Sequence, residues 1–318
     1  MSGAKQQPLV VLAIGGNSLI KNPRKMTVLD QYRSAGETCH HISHLVRRGY
    51  RVVITHGNGP QVGFILLRSE LAKGVLHQVP LESCVADTQG AIGYQIAQTL
   101  RNELRRQHVS RKVAAVVTQV VVNRNDPAFR NPTKPIGPFY SREDAERHMA
   151  TEGWSMKEDA GRGWRRVVAS PQPKAIIEEP VIKSLVDAGV VVVALGGGGI
   201  PVTRTRDGIL EGCPAVIDKD LASCLLARHL RADIFMISTG VRNVVLHYGT
   251  PKAKALSRVS AGEMRRYLEE GHFGEGSMKP KVEAALDFLE HGGKHVIITR
   301  PQDMEKALKE KAGTHIFP

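Results

Sequence analysis

Three lysines stand in settings that would fix a cation in place. Lys134 lies in Pro132-Thr133-Lys134-Pro135, where prolines restrict the backbone around it. Lys219 lies in Val216-Ile217-Asp218-Lys219-Asp220, at a predicted helix start, between two carboxylates that would keep it charged. Lys281 follows Pro280, where a proline opens a helix. Fixed cations suit phosphoryl transfer, which is largely positioning plus neutralisation of charge on the transferring oxygens. For Asp218 and Asp220 two readings stand side by side, a catalytic pair or a plain helix N-cap.

Cations need a cradle, and three glycine-rich turns offer one. Leu9-Val10-Val11-Leu12-Ala13-Ile14 runs into Gly15-Gly16-Asn17. Arg51-Val52-Val53-Ile54-Thr55 runs into His56-Gly57-Asn58-Gly59-Pro60. Val190-Val191-Val192-Val193-Ala194-Leu195 runs into Gly196-Gly197-Gly198-Gly199. Each apolar run reads as a strand and each turn is predicted to lead into a helix. Glycine lets the backbone approach a ligand closely, and a helix start offers free N–H groups and the positive end of a dipole. Glycine also ends many strands that bind nothing, but three such turns in one sheet point to a crevice for phosphate. The GxxxxGK[ST] loop, the GxGxxG fingerprint and the HRD and DFG sets of protein kinases are all missing from these positions.

The elements that would carry these turns alternate as strand and helix through most of the chain, the pattern of a parallel sheet covered on both faces. Helices are predicted over Thr27–Arg48, Gln61–Lys73, Thr88–Gln107, Ile176–Ala188, Asp220–Leu230, Lys281–Glu290 and Met304–Lys311. Further strands are predicted over Val113–Thr118, Ile234–Ser238 and His295–Thr299. From about residue 123 to 170 the rhythm breaks, and both tryptophans lie there. A long irregular excursion of this kind is usually functional. It reads as a subdomain protruding over the crevice and carrying Lys134; a surface insertion or an oligomer contact is the plainer reading.

The 318 residues suit one large or two medium domains, and aromatics at 5% leave a core of Val, Leu, Ile and Ala. Net charge is +13, but the basic residues are dispersed. With no RNA-recognition, zinc-finger or homeodomain signature, the excess reads as solvated helix faces and attraction of small anions rather than nucleic-acid binding. Four cysteines without CxxC spacing suggest neither zinc nor a redox pair, and His40, His41 and His44 read as an exposed face rather than a metal site. No apolar segment reaches membrane-spanning length and the N-terminus has no signal-peptide stretch, so a cytoplasmic protein is expected. From the residues alone, the chain is an α/β protein for phosphorylated or carboxylated small molecules.

Longer stretches narrow this. They are Ala13-Ile14-Gly15-Gly16-Asn17, His56-Gly57-Asn58-Gly59-Pro60-Gln61-Val62-Gly63, Thr88-Gln89-Gly90 with Ile92-Gly93-Tyr94, and Asn131-Pro132-Thr133-Lys134-Pro135-Ile136-Gly137-Pro138-Phe139. Further on come Glu158-Asp159-Ala160-Gly161-Arg162-Gly163-Trp164-Arg165, Gly196-Gly197-Gly198-Gly199-Ile200-Pro201-Val202, Ala215-Val216-Ile217-Asp218-Lys219-Asp220, Gly271-His272-Phe273 and Gly276-Ser277-Met278. In unbroken order from about residue 9 to the C-terminus, they closely resemble the carbamate kinases of the amino acid kinase family.

The resemblance implies a three-layer αβα sandwich with an open, mainly parallel sheet, a small protruding subdomain and a homodimer. Residues 1–195 would form a lobe for carbamate or carbamoyl phosphate, and residues 196–318 a lobe for ADP or ATP with magnesium. It implies reversible in-line transfer with no phosphoenzyme. Gly15, Gly16, Asn17, Gly57, Asn58, Gly59, Gly197, Gly198 and Gly199 would line the phosphate and substrate. Lys134, Lys219 and Lys281 would neutralise charge, and Asp220 would hold the lysines, with Asp218 beside it. Thr239, Gly240, Val241, Tyr248 and Met278 would border the nucleotide. The chain departs from the family's pattern at Arg242 and Asn243, at Thr250-Pro251-Lys252, and at Asp87, where the family commonly has Met. Two alternatives within the same fold are an acyl-phosphate kinase for another small carboxylate and a non-catalytic nucleotide binder. The lysine set argues against the second.

Overall fold

The strand Leu9–Ile14 is apolar and buried at every position. Successive strand side chains point to opposite faces. Leu9, Val11 and Ala13 accordingly enter one core, and Val10, Leu12 and Ile14 another. A strand apolar on both faces needs a cover on both sides. In this computed structural model, which describes residues 7–15, 27–159, 163–274 and 277–318, helices supply it. Val28–Arg47 and Leu81–Arg106 bring Ile42, Leu45, Ile96 and Leu100 to one face. Glu179–Asp187, Lys219–His229 and Lys279–Glu290 bring Ile182, Leu226, Val282 and Phe288 to the other. The result is the expected αβα sandwich.

The sheet between these layers has eight strands, in the spatial order 258–260, 314–317, 296–299, 234–238, 9–14, 51–56, 191–193, 113–115. Six run parallel. Thr314–Phe317 pairs antiparallel with Val296–Thr299 and carries Arg258–Ser260 beside it, so two edge strands run the other way. A four-stranded sheet stands apart from it, in the order 210–212, 200–204, 119–122, 173–176.

The excursion around residues 123–170 is more regular than expected. Lys134–Tyr140, Trp164–Val168 and Met156–Glu158 form an antiparallel sheet, and Arg142–Glu152 is a helix capped by the Ser141 side chain. Pro135, Gly137 and Pro138 inside the first strand hide its alternation. A separate apolar cluster fastens the protrusion down: Ile136 and Val168 pack with Val62, Leu81, Cys84, Val85 and Val216. A Cβ on Gly63 would lie 2.8 Å from Gly137 Cα, so the helix Gly59–Leu71 and the protrusion meet backbone to backbone.

Four expectations are corrected. The third glycine turn leads not into a helix but into the strand Ile200–Arg204; positive φ at Gly197, Gly198 and Gly199 cannot continue into a helix. The helix expected from Ile176 starts at Glu179, because Pro173–Ile176 pairs with Gln119–Val122. The strand expected over Val113–Thr118 stops at Ala115. The final helix is one turn, Met304–Ala307. Glu310 and Gly313 then adopt positive φ, and the chain turns into the strand Thr314–Phe317.

Candidate active site

Asp218 caps the helix Lys219–His229, with Oδ1 accepting the Asp220 N–H at 2.8 Å. This places Lys219 and Asp220 in the first helical turn. Asp220, buried, then takes one lysine on each oxygen: Lys219 Nζ donates to Oδ1 at 2.5 Å and Lys281 Nζ to Oδ2 at 3.2 Å. Lys281, from the first turn of Lys279–Glu290, also donates to the Ser277 carbonyl at 3.0 Å. Lys134 reaches in from the protrusion and donates to Asp218 Oδ2 at 2.6 Å. Asp218 is thus the helix N-cap that one reading expected, and its second oxygen holds a lysine that a plain cap would not need.

Three cations from three elements meet two carboxylates, leaving one positive charge in excess. Burial alone would raise the Asp218 carboxyl, but Lys134 and Lys219 outweigh it and hold it at about 2. Asp220 is held down in the same way, against burial, by Lys219 and Lys281. Burial pushes the Lys219 amine below the ordinary lysine value, with Asp220 pulling the other way. Lys134 has the most open side chain, 31% exposed against 12% for Lys219.

The glycine turns lie beside this cluster. Gly57 donates its N–H to the Ile14 carbonyl at 3.0 Å, and Gly59 opens the helix Gly59–Leu71. The Asn58 side chain lies flat against Gly197, where a Cβ would sit 2.0 Å from Asn58 Nδ2. A Cβ on Gly198 would sit 2.5 Å from the Ile217 carbonyl, one residue before Asp218. Close packing thus requires glycine here and binds the third turn to the lysine cluster. Gly15 packs beside the Ser238 carbonyl. Gly16 and Asn17 lie outside the described residues.

Of the residues expected to border the nucleotide, Thr239 donates its N–H to the Thr299 carbonyl at 2.8 Å, Gly240 is exposed and Val241 is half-buried. Tyr248 is 74% exposed, and Met278 packs against the core. Two departures have local structural roles. Asn243 Nδ2 donates to the Leu256 and Gly313 carbonyls at 2.8 and 2.7 Å, and Thr250 Oγ1 donates to the His247 carbonyl at 2.8 Å. Arg242 reaches the Lys311 carbonyl at 3.4 Å and stays half-exposed.

Sequence reasoning assigned no role to His56, Thr88, Gln89 or Thr118, although the first three lie inside its quoted stretches. The His56 ring is buried against Gly196, where a Cβ would come within 2.6 Å of it. Burial pushes its pKa down to about 4, opposed by a bond to the Gly57 carbonyl and helped by Lys219. For Thr88 and Gln89 the available signal was polarity on the inward face of the helix Leu81–Arg106. Among the described residues no three His, Cys, Asp or Glu side chains converge as metal ligands.

The chain belongs to the amino acid kinase family, whose profile matches residues 8–300. Within it, the chain is 49% identical over 311 residues to the carbamate kinase of Pyrococcus furiosus, covering 97% of this chain and 99% of the relative. It is 51% identical to a carbamate kinase-like protein of Escherichia coli, covering 97% and 98%. The carbamate kinase of Giardia lamblia bound to AMP-PNP superposes with a TM-score of 0.91 at 41% identity, covering 100% of this chain and 99% of that one.

Proposed function

We propose that the protein is a carbamate kinase, moving a phosphoryl group reversibly between carbamoyl phosphate and ADP to give ATP and carbamate. The observation that carries this is the convergence of Lys134, Lys219 and Lys281 on Asp218 and Asp220 beside the glycine turns. Backbone N–H groups of Gly15, Asn58, Gly59 and Gly197–Gly199 would hold the carbamate and the transferring group. Lys134 would swing from Asp218 to the incoming phosphoryl oxygens. Lys219 would follow charge toward the leaving oxygen, and Lys281 would neutralise the nucleotide phosphates. Carbamate is already an anionic nucleophile, so no general base is required. Residues 1–195 serve the carbamate side and 196–318 the nucleotide, bordered by Thr239–Val241, Tyr248 and Met278, with the Gly196–Gly199 turn at the junction facing the carbamate and the transferring group.

Magnesium fits this donor set as a passenger of the nucleotide. Asp218 and Asp220 are already paired with lysines, and magnesium is commonly held by substrate phosphates and water. The phosphates would hold it, and it supplies further neutralisation of their charge. The reading includes a homodimer working in the cytoplasm; no helix among the described residues is long and apolar enough to cross a membrane.

The test is ATP formation from carbamoyl phosphate, ADP and magnesium, with acetyl phosphate as a parallel donor. Turnover with carbamoyl phosphate well above that with acetyl phosphate is expected. ADP binding without turnover from either donor would overturn the reading.

A further inference from the structure

Two consecutive side chains on the helix Leu81–Arg106, Thr88 and Gln89, are polar, inward and almost wholly buried, at 1% and 4% exposure. Each binds a different glycine turn. The Thr88 hydroxyl donates to the Val85 carbonyl of its own helix at 2.7 Å, so its oxygen meets Asn58 only as an acceptor. Asn58 Nδ2 donates to it at 2.8 Å, which fixes which way round the Asn58 amide lies. Gln89 faces the other turn. Its Nε2 donates to the Gly196 carbonyl at 3.0 Å and the Thr118 carbonyl at 3.1 Å, and its Oε1 accepts the Thr118 N–H at 2.7 Å. Thr118 Oγ1 in turn accepts the N–H of Leu195 at 3.1 Å. Leu195 has left-handed φ of +52° and stands immediately before the glycines.

The sheet cannot do this job. The ladder between Arg51–His56 and Val191–Val193 ends where the Ala194 N–H meets the Ile54 carbonyl. Beyond that point both turns leave the strands, and their spacing depends on what lies between them. Asn58 rests on Gly197, and Gly198 rests on the carbonyl before Asp218, so a shift of either turn passes to the lysine cluster.

We propose that Thr88 and Gln89 are positioning residues for the phosphoryl-donor side of the site. Through them one helix holds the Asn58 turn and the Gly196–Gly199 turn at a set spacing. This rests on the reading of those turns as the carbamoyl phosphate side. The nucleotide border at Thr239–Val241, Tyr248 and Met278 lies on other elements, so the loss should fall on one substrate.

The experiment compares Thr88→Val, Thr88→Ser and Gln89→Leu with the wild type. Steady-state ATP formation is measured against each substrate, with ADP affinity by calorimetry. Valine keeps the shape of threonine but leaves the Asn58 donor unpaired; serine keeps the hydroxyl. Thr88→Val should raise KM for carbamoyl phosphate roughly tenfold and lower kcat, because small misplacements of reacting groups are costly. ADP affinity should stay within about twofold, and Thr88→Ser should recover most of the loss. Gln89→Leu should follow Thr88→Val, and it carries the comparison if the valine variant does not fold. Wild-type KM for carbamoyl phosphate in both variants, equal weakening of both substrates, or no recovery with serine would overturn the proposal. A wild type without turnover would instead overturn the carbamate kinase reading.

Discussion

The two ends of the site are built on different principles. At the proposed phosphate end Lys134, Lys219, Lys281, Asp218 and Asp220 are buried or half-buried and paired, and the pairing crosses three elements: the segment carrying Lys134, the helix Lys219–His229 and the helix Lys279–Glu290. At the proposed nucleotide border the chain offers backbone, an exposed tyrosine and a half-exposed arginine. Lys219 and Lys281 are pre-organised on Asp220, so they need little reorganisation as charge develops on the phosphoryl oxygens, whereas the more open Lys134 is free to move onto them. The second end leaves its side chains open to solvent, with Tyr248 74% exposed.

The sharpest way to break this contrast is at Lys219. Lys219→Ala should lower turnover about 10³-fold, near 4 kcal/mol of transition-state stabilisation, while ADP affinity holds. Steady-state kinetics with calorimetric ADP binding decides it; loss confined to ADP binding would reverse the assignment of the two ends.

Acid should strike the phosphate end next. His56 sits at about 4 when folded against an ordinary 6.5, and burial likewise lowers His295 to about 4. Above pH 6.5 both the folded and the unfolded chain carry a neutral imidazole and the full stability is present. As pH falls from 6.5 toward 4, only the unfolded chain takes the proton, and about 3 kcal/mol is lost at His56 alone. Urea midpoints at pH 7 and pH 5 should differ, and His56→Asn should reduce the difference. Equal slopes in the two proteins would remove His56 from the account.

Lys134→Ala comes third, with turnover down about 10²-fold and the melting temperature little changed, since this lysine is the most open of the three. Near-normal turnover would make the protrusion a covering and nothing more. Smallest is Tyr248→Ala at the opposite end. Loss of one stacking face should raise KM for ADP about fivefold and leave kcat alone. A fall in kcat there would blur the contrast.

Much of this contrast was legible before any coordinates. Strands such as Leu9–Ile14 declare themselves because they are apolar on both faces, and Lys134, Lys219 and Lys281 because prolines and carboxylates flank them. Tertiary pairing was not legible. Ile176 reads as the start of a helix until Pro173–Ile176 lies beside Gln119–Val122, and Thr314–Phe317 is a strand because Val296–Thr299 offers an edge. Within the site, the sequence set Lys219 between Asp218 and Asp220 and the resemblance implied that Asp220 would hold the lysines, but neither showed that Asp220 takes one lysine on each oxygen. Thr88 and Gln89 stayed hidden for the same reason: their partners at Asn58, Thr118 and Gly196 are 29 or more residues away.

The central claim is that three lysines and backbone N–H groups carry a direct transfer, with no covalent stop on the protein. The most direct measurement is the stereochemical course at phosphorus, using carbamoyl phosphate made chiral with oxygen isotopes and ADP as acceptor. A single in-line displacement predicts inversion. Retention would require two displacements and a phosphorylated protein intermediate, and would contradict the account.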